Sequence, residues 1–392
     1  MSPSIAAKDS TADLVAADVV ATTSSIAARL AATAGETDAK RSFPRENIKL
    51  LGEKGLMGML LPEKLGGLNA SALAFARSVQ IIGGSCASTG MVFVMHCCAV
   101  ETIFRHQPGQ EKLLRQAAAG EHLSTLACSE RGSGANFYAS ASTSRQTACG
   151  IELNGAKSFV TSGALADSYV VSLRALGSES SINTTLYVLE KDTPGMEFSG
   201  QWDGLGLRGN SSIVMNLKDC PVAEPGTSQV GAQGQGFEIE MSTILPRFLL
   251  GTAAVYNGIA EAAMSASIEH VKSRELTHTG EKLNALPVMR NKIARMKVAV
   301  AASVALMHAA ARSWDESGAA DLVSLLEVKQ MACRTAVDVA TLALETCGGI
   351  AYSGALPIER HLRDAQAGVV MAPTSDMLLD LIGRAALDMP LM

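Results

Sequence analysis

The sequence predicts an α+β fold with a helical N-terminal domain, a middle antiparallel β domain and a C-terminal helical bundle. Two changes of period along the 392 residues indicate this order. Apolar residues recur at three- and four-residue spacing towards both ends of the chain, whereas short β-branched runs occupy the middle. We therefore divide the chain into residues 1–122, 123–230 and 231–392.

Each segment carries its own turn signals. The N-terminal segment is rich in alanine, and residues 61–67 interrupt its helices with a proline and paired glycines. In the middle segment, runs such as 169–173 and 213–217 are bounded by Gly, Asn and Asp, a pattern typical of an antiparallel sheet or barrel. The C-terminal segment is helical again, and Gly348-Gly349 forms its main break.

The composition is that of a protein with a large buried core. Charged residues make up 18% of the chain, apolar residues make up 47%, and the net charge is −5. Because there is no basic field and aromatic residues are only 4%, we expect neither nucleic acid nor an anionic membrane as a partner. The longest apolar stretches, such as 298–311, are expected to be too short to span a bilayer.

The cysteines and the N terminus favour a reducing compartment and no structural metal. None of the eight cysteines forms a CxxC pair, and no histidine pair lies nearby at zinc-ligand spacing. Asp9, Asp13 and Asp18 occupy the N terminus, where a secretory or mitochondrial leader would carry basic residues. The cytoplasm is therefore the expected location.

Two segments of the middle region have residue types suited to a cofactor. Residues 126–136 read LACSERGSGAN, a glycine-rich turn whose backbone N–H groups can meet carbonyls or phosphates. Alone this pattern is weak, because an ordinary strand-to-loop turn looks the same. Residues 153–163 read LNGAKSFVTSG, and there Phe159 and Thr161 offer one aromatic face and one hydroxyl to a planar ring.

In order and spacing these segments resemble the Thr-Glu-Pro-x-x-Gly-Ser-Asp and Asn-Gly-x-Lys-x-Trp-Ile-Thr signatures of the acyl-CoA dehydrogenases. Residues 362–376 are similar to the family's C-terminal active-site stretch, and residues 43–67 and 205–212 also agree with it. The resemblance covers nearly the whole chain from about Phe43. It implies FAD as cofactor, a middle β-barrel or sandwich, a C-terminal four-helix bundle, and a homodimer or homotetramer.

The resemblance assigns flavin contacts to individual residues of the middle segment. Ser129 and the backbones of Leu126 and Cys128 would meet the flavin pyrimidine. Phe159 would pack on the isoalloxazine, and Thr161 would approach its N5 side.

The resemblance is less regular in the adenine half of FAD, which family members bind across a subunit interface. Arg274 is kept, but Thr277 and Pro287 stand where the family has Phe and Gln, and Glu345 replaces a second Gln. A carboxylate beside a pyrophosphate is repulsive unless it is screened or protonated. The FAD contacts implied in all are Leu126, Cys128, Ser129, Gly134, Ala135, Phe159, Thr161, Arg274, Glu345, Gly348, Gly349, Thr374 and Asp376.

The residue that acts as a base in this family is missing. Ala372 stands where most members have a glutamate, and Pro246 stands at the position that other members use, immediately before Arg247. Neither side chain can take the α-proton of a thioester, which needs a base within hydrogen-bond reach. The resemblance places Arg247, Met371 and Ala372 beside the substrate.

Other ionisable residues are candidates for the base, although each has a structural explanation. Carboxylates at a helix start are favoured by the helix dipole, and a histidine in an apolar helix is commonly a core residue. The candidates are Glu238, Glu240, His96, His361 and Asp376.

Four functions fit these observations. The first is FAD-dependent oxidation of a small acyl thioester, or a related small molecule, with an unusual base or with water. The second is a flavin monooxygenase or oxidase, which has no use for the glutamate and often needs a flavin reductase. The others are a non-redox acyl-CoA lyase and a flavin-binding protein without turnover. CoA, a carrier protein and a free substrate all remain open, and so does the electron acceptor.

Overall fold

The computed structural model describes residues 11–222 and 225–391, and Asp9 lies outside these ranges. The N-terminal part is helical, as predicted, and the loop at 61–67 contains a short 3-10 turn. The helices are α1 (Thr11–Ala32), α2 (Ala34–Lys40), α3 (Arg45–Glu53), α4 (Ala72–Ser85), α5 (Ala87–His106) and α6 (Glu111–Ala118).

The middle part forms one mixed sheet. Its pairing order is β6-β7-β3-β2-β4-β5-β8, with β1 added beside β4. Most pairs are antiparallel, as predicted, but β1 and β2 each pair with β4 in parallel, so the sheet is mixed rather than purely antiparallel. No closed barrel forms among the described strands. These are β1 (Ser124–Ala127), β2 (Thr143–Thr147), β3 (Gly150–Val160), β4 (Ser168–Arg174), β5 (Thr184–Glu190), β6 (Met196–Ser199), β7 (Ile213–Pro221) and β8 (Gln229–Val230), and α7 (Pro225–Ser228) precedes β8.

The C-terminal part confirms the predicted helical bundle, in which α9, α10, α11 and α13 pack on one another. A two-stranded hairpin connects α9 to α10. The elements are α8 (Gly236–Ile239), α9 (Leu245–Ser273), β9 (Glu275–Leu276), β10 (Glu281–Lys282), α10 (Pro287–Ser317), α11 (Leu322–Cys347), α12 (Gly349–Tyr352), α13 (Ile358–Val370) and α14 (Ser375–Ala386). The changes of secondary structure fall between Ala118 and Ser124 and between Val230 and Gly236, while the division at 122 and 230 stays a prediction.

A π-helical turn, Glu240–Ile244, joins α8 to α9. Pro246 follows at the start of α9. Proline has no N–H and its ring collides with the preceding turn of a regular helix, so a wider turn just before it accommodates the residue. The proline at position 246 is therefore compatible with a helix that begins directly after a π-helical turn.

The three parts pack closely enough to fix one another. Helices α4 and α9 touch at Gly258, where a Cβ would lie 2.2 Å from the Gln80 carbonyl oxygen, so only glycine permits this approach. The Arg363 guanidinium on α13 lies 2.6 Å from the Asp38 carboxylate on α2. The neighbouring Asp364 accepts a hydrogen bond of 2.7 Å from the Leu207 N–H in the middle part. The first of these polar contacts joins the two helical parts, and the second holds the loop around Leu207 against α13.

Two helices, α5 and α10, are long and apolar enough to cross a membrane by length and composition alone, contrary to expectation. Helix α5 belongs to the protein core, since 89% of its most apolar stretch is buried. For α10 the buried share is 22%, so most of that apolar stretch is left uncovered by the chain itself.

Candidate active site

A cavity of about 410 Å³ opens where the three parts of the chain meet. This volume lies in the range of small-molecule sites, which favour junctions between domains. One wall is apolar and comes from α5, the π-helical turn, α9 and α13, and the other is the more polar edge of the sheet. The apolar wall includes Met91, Met95, Ile244, Leu245, Phe248, Ala367 and Val370, and the sheet edge includes Leu126, Cys128, Ser129, Glu130, Ser158, Phe159, Thr161, Asn210 and Ser212.

Phe159 and Thr161, which are expected to lie on one side of the flavin ring, both line this cavity. Phe159 is 67% exposed, although it is a large apolar side chain, and its φ is 55°, a conformation that side chains rarely adopt. Its ring meets Trp202 edge to face at 6.4 Å between centroids. The Thr125 hydroxyl donates to the Thr161 carbonyl at 2.9 Å and fixes the strand end. Strained, exposed aromatic residues of this kind cluster at ligand sites.

Two buried polar atoms of the cavity wall have no hydrogen-bond partner within residues 11–222 and 225–391. They are the Ser158 hydroxyl and the Asn210 side-chain carbonyl. Since buried polar atoms are nearly always paired, a ligand with both donors and acceptors along its edge suits this wall. The polar edge of a flavin has this character, and the aromatic Phe159 suits its face, so the residues present fit FAD.

The structure separates the predicted FAD contacts into two groups. Leu126, Cys128, Ser129, Gly134, Ala135, Phe159, Thr161 and Thr374 line the cavity. Arg274, Glu345, Gly348, Gly349 and Asp376 do not, and all of them lie exposed on the surface. Glu345 there lies 3.6 Å from the Lys292 ammonium, which screens its charge.

The backbone around Ala372 is organised by a buried lysine that sequence reasoning missed. Met371 and Ala372 line the cavity. The Lys329 ammonium donates to the carbonyl oxygens of Met371 at 2.9 Å and of Pro373 at 2.6 Å. Burial lowers the pKa of Lys329 to about 8, and no described carboxylate forms an ion pair with it. The only sequence signal was a lysine within the apolar pattern of α11.

Arg247 does not line the cavity, contrary to its predicted substrate contact, and neither does Pro246. The Arg247 side chain is buried and forms two hydrogen bonds with Glu101, at 2.7 and 3.2 Å. It also stacks between Phe75 and Trp314, with its guanidinium carbon 4.8 and 4.3 Å from the ring centroids. A buried cation needs such a partner. Glu101 accepts from Nε and Nη2 of Arg247, while Nη1 has no hydrogen-bond partner among the described residues.

None of the predicted bases lines the cavity among the described residues. Glu238 and Asp376 are exposed, and Glu240, His96 and His361 are buried elsewhere. His96 accepts from the Ser124 N–H at 3.1 Å and donates to the Met57 carbonyl at 3.0 Å. Burial lowers the pKa of His96 to about 4 and that of His361 to about 3. In the same described ranges, no group of His, Cys, Asp and Glu side chains is placed to hold a metal ion.

The one carboxylate among the described lining residues, Glu130, is held as an anion. It lies 2.6 Å from the buried Lys157 ammonium and accepts hydrogen bonds from the Ser140 hydroxyl and the N–H groups of Ala141 and Ser142. Burial opposes its ionisation, but Lys157 and these donors outweigh burial and lower the pKa of Glu130 to about 2. So weak a base cannot remove an α-proton near neutral pH. Both members of this pair lie in the two predicted segments, but their pairing was not foreseen.

These features define a cofactor-dependent enzyme with a site between a sheet and a helical bundle, and comparison with known proteins identifies the family. The N-terminal, middle and C-terminal domain models of acyl-CoA dehydrogenase match residues 18–121, 125–220 and 234–387. The chain therefore belongs to the acyl-CoA dehydrogenase family. This confirms the predicted resemblance, the assignment as a flavin-dependent oxidoreductase, and FAD as the cofactor.

Individual proteins of known function or structure are similar to this chain over nearly its whole length. The chain is 28% identical over 352 residues to a short-chain specific acyl-CoA dehydrogenase of Clostridium acetobutylicum, covering 88% of this chain and 90% of that one. The butyryl-CoA dehydrogenase structure from Megasphaera elsdenii superimposes with a TM-score of 0.89 at 27% identity, covering 98% and 100%. A prolyl acyl carrier protein oxidase shares the fold, with a TM-score of 0.85 at 23% identity over 97% and 100%.

Proposed function

We propose that the protein oxidises a small, mainly apolar acyl group held as a thioester, without a carboxylate base at either family position. The cavity supports this proposal, because it joins the flavin contacts Phe159 and Thr161 to Ala372 in one space. FAD, when bound, supplies the two-electron oxidation. With Ala372 and Pro246 at the base positions, we infer that the α-proton leaves to water or to a basic group of the substrate.

The residues of the cavity have distinct roles in this proposal. Ser129, Ser158 and Asn210 orient the polar edge of the flavin, and Thr161 meets its reactive side. The apolar wall from Met91 to Val370 excludes water and accepts the acyl group. Because the flavin ring shares the cavity of about 410 Å³, we expect the acyl group to be short. Lys329 holds the backbone that carries Ala372.

We further propose that the FAD site is completed by a second copy in a homodimer or homotetramer. The predicted adenine contacts, Arg274 and Glu345 among them, lie exposed and away from the cavity. The uncovered apolar stretch of α10 offers a surface for such an assembly. Light scattering of the FAD-loaded protein tests this. A monomer that retains FAD would contradict it.

Anaerobic mixing tests the proposed oxidation. Purified protein loaded with FAD is mixed with a panel of short acyl-CoAs and with the same acyl groups on a carrier protein, since a carrier-protein oxidase shares the fold. Loss of the visible flavin absorption, together with an enoyl or other two-electron-oxidised product, is the expected result. A panel that bleaches no flavin would contradict the proposal.

Ala372→Glu provides the matched comparison. A carboxylate there should raise the rate of flavin reduction by acyl-CoA, and Ala372→Gln, which has the same size but no basic group, should not. The gain should be small, because Pro373 fixes its own φ and restricts the residue before it. Misplacement by about 1 Å costs on the order of a hundredfold in rate. Adding Pro373→Gly should therefore increase the gain.

A flavin monooxygenase or oxidase is the second candidate. It is favoured by the lack of a proton acceptor in the cavity, since Glu130 is paired with Lys157 and Ala372 cannot accept a proton. A monooxygenase would receive its electrons from a reductase, whereas an oxidase would take them from a substrate other than a thioester and pass them to oxygen. Rapid oxygen uptake after chemical reduction of the FAD-loaded protein, with no bleaching by any thioester, would favour this candidate over the first.

A further inference from the structure

Behind the sheet edge of the cavity lies a buried polar cluster that the proposed reaction does not use. Its centre is Glu240, the first residue of the π-helical turn, which has no exposed surface. Neither carboxylate oxygen of Glu240 has a hydrogen bond of ordinary length and angle among the described residues, although the Ser172 hydroxyl and the Cys128 thiol lie near enough to influence its pKa. The hydroxyl of Ser172 on β4 is likewise buried without a partner. An unpartnered buried carboxyl is costly, and such groups commonly have a functional reason.

The polar groups that influence the pKa of Glu240 come from three strands of the sheet or from the ends of those strands. They are the Ser172 hydroxyl on β4, the Lys157 ammonium on β3 and the Cys128 thiol just after β1. Burial raises the pKa of the Cys128 thiol, and the Cys98 thiol on α5 raises it further. His106, also on α5, lies 2.9 Å from the hydroxyl of Thr243, which belongs to the same π-helical turn as Glu240. Burial raises the pKa of Glu240 to about 7, although Ser172, Lys157 and Cys128 all oppose that rise.

The cluster is connected to the flavin side of the cavity. Cys128 lines the cavity, and its carbonyl oxygen accepts a hydrogen bond of 3.3 Å from Lys157. The same ammonium is paired with Glu130, which also lines the cavity. The charges of Lys157 and Glu130 cancel, so the charge of the cluster changes with the Glu240 proton: neutral when the proton is bound and negative when it is lost.

We propose that Glu240 is a positioning residue which, through Cys128 and Lys157, couples the electron affinity of the FAD bound in this cavity to proton binding at its own carboxyl group. This inference rests on the proposed function, since it requires the flavin pyrimidine beside Cys128. A negative Glu240 disfavours electrons on the flavin, and a protonated Glu240 does not. The flavin therefore becomes a weaker oxidant as the pH rises through the titration of this carboxyl.

The coupling follows from the balance of electrons and protons. The reductant gives up two electrons, and the flavin takes them with one proton from solvent. When Glu240 is ionised in the oxidised protein, its carboxylate takes up a second proton from solvent as the flavin becomes reduced. If the Glu240 carboxylate and the charge gained by the flavin are on the order of 10 Å apart, at an effective dielectric constant of about 20, their repulsion shifts the equilibrium for flavin reduction about tenfold. For a two-electron couple, a tenfold change corresponds to about 30 mV.

The test is the midpoint potential of the bound FAD between pH 6 and pH 8, measured by stepwise reduction with dithionite beside a reference dye. The wild-type potential should fall more steeply with pH than that of Glu240→Gln. The two proteins should agree near pH 6 and differ by about 30 mV at pH 8, with the wild type lower. Glu238→Gln, which removes an exposed carboxylate two residues earlier on α8, should match the wild type.

A second variant keeps the inference testable if Glu240→Gln fails to fold. Ser172→Ala removes a hydroxyl that favours the ionised form of Glu240, so the steep region should move to higher pH. Unchanged slopes in either variant, with FAD fully bound, would overturn this inference alone. A wild-type protein that takes up no FAD would instead overturn the proposed function.

Discussion

Glu240 gives a stability prediction that needs no flavin. Burial raises the pKa of its carboxyl group from 4.5, the ordinary value that applies in an unfolded chain, to about 7 in the fold. Between these values the folded state holds a proton that the unfolded state has lost, so the free energy of unfolding falls as the pH rises. From 4.5 to about 7 is a shift of about 2.5 units, and at 1.36 kcal/mol per unit the loss is about 3 kcal/mol by pH 8.

Glu240→Gln removes this pH dependence, because an amide does not ionise. The buried amide itself costs about 1–3 kcal/mol at every pH, so the informative quantity is the difference between variant and wild type. That difference should move in favour of the variant by about 2–3 kcal/mol between pH 5 and pH 8. With an unfolding entropy of about 2.1 cal/mol/K per residue, this corresponds to a relative rise in Tm of about 3 °C.

Differential scanning calorimetry of the flavin-free proteins at pH 5, 6, 7 and 8 measures the effect. Glu238→Gln is the control, since its exposed carboxylate should leave the difference from wild type the same at every pH. A Glu240→Gln variant whose Tm stays a constant distance from wild type would refute the reasoning. In that case Glu240 ionises in the fold as it does in water.

Three further predictions concern other buried contacts. Thr161→Val keeps the shape of the strand end but removes its hydroxyl, so the Kd for FAD should rise about tenfold in a fluorescence titration of the flavin-free protein; an unchanged Kd and spectrum would contradict the N5 assignment. Glu101→Gln leaves the Arg247 cation buried without a counter-charge and should lower the free energy of unfolding by about 3–5 kcal/mol in urea, whereas replacing both residues by methionine should recover most of it. Lys329→Met leaves two carbonyls without a donor, so hydrogen exchange at the Met371 N–H, which is bonded to the Ala367 carbonyl, should speed up about tenfold; equal exchange rates would mean that Lys329 does not hold this loop.

The order of helices, strands and helices could be predicted because each segment carries its own period. The pairing of the sheet could not. The strand after α6 reads as an ordinary short apolar run, yet it pairs in parallel with β4, with Thr125 beside Tyr169. That pairing joins residues more than 40 positions apart and depends on how the helical part delivers the chain to the sheet. Local pattern contains no information about such a contact.

The candidate site divides in the same way. Ser129, Phe159 and Thr161 line the cavity, and the sequence singled them out because each lies in a short segment that resembles a family signature. Lys329 was missed, and Glu240 was interpreted as a carboxylate that stabilises a helix start, because a lone charged residue in a helical pattern is usually exposed. Only the fold shows that both are fully buried and that each acts on the cavity wall from behind. The sequence alone does not show which residues become buried when distant segments of the chain pack together.

The loop at Ala372, where the family's base is expected, is held from behind by Lys329. Holding a lysine in the core costs free energy, as the lowered pKa of Lys329 shows, and the return is two hydrogen bonds to the backbone on either side of Ala372. Such a support makes sense when the position of this backbone matters to whatever lies in the cavity. A methyl group at Ala372 then contributes shape rather than proton transfer, because it leaves room beside the flavin that a glutamate would fill. We therefore interpret Ala372 as a wall of the substrate space, held in place by Lys329, and the site as adapted to a substrate that does not need the family's base.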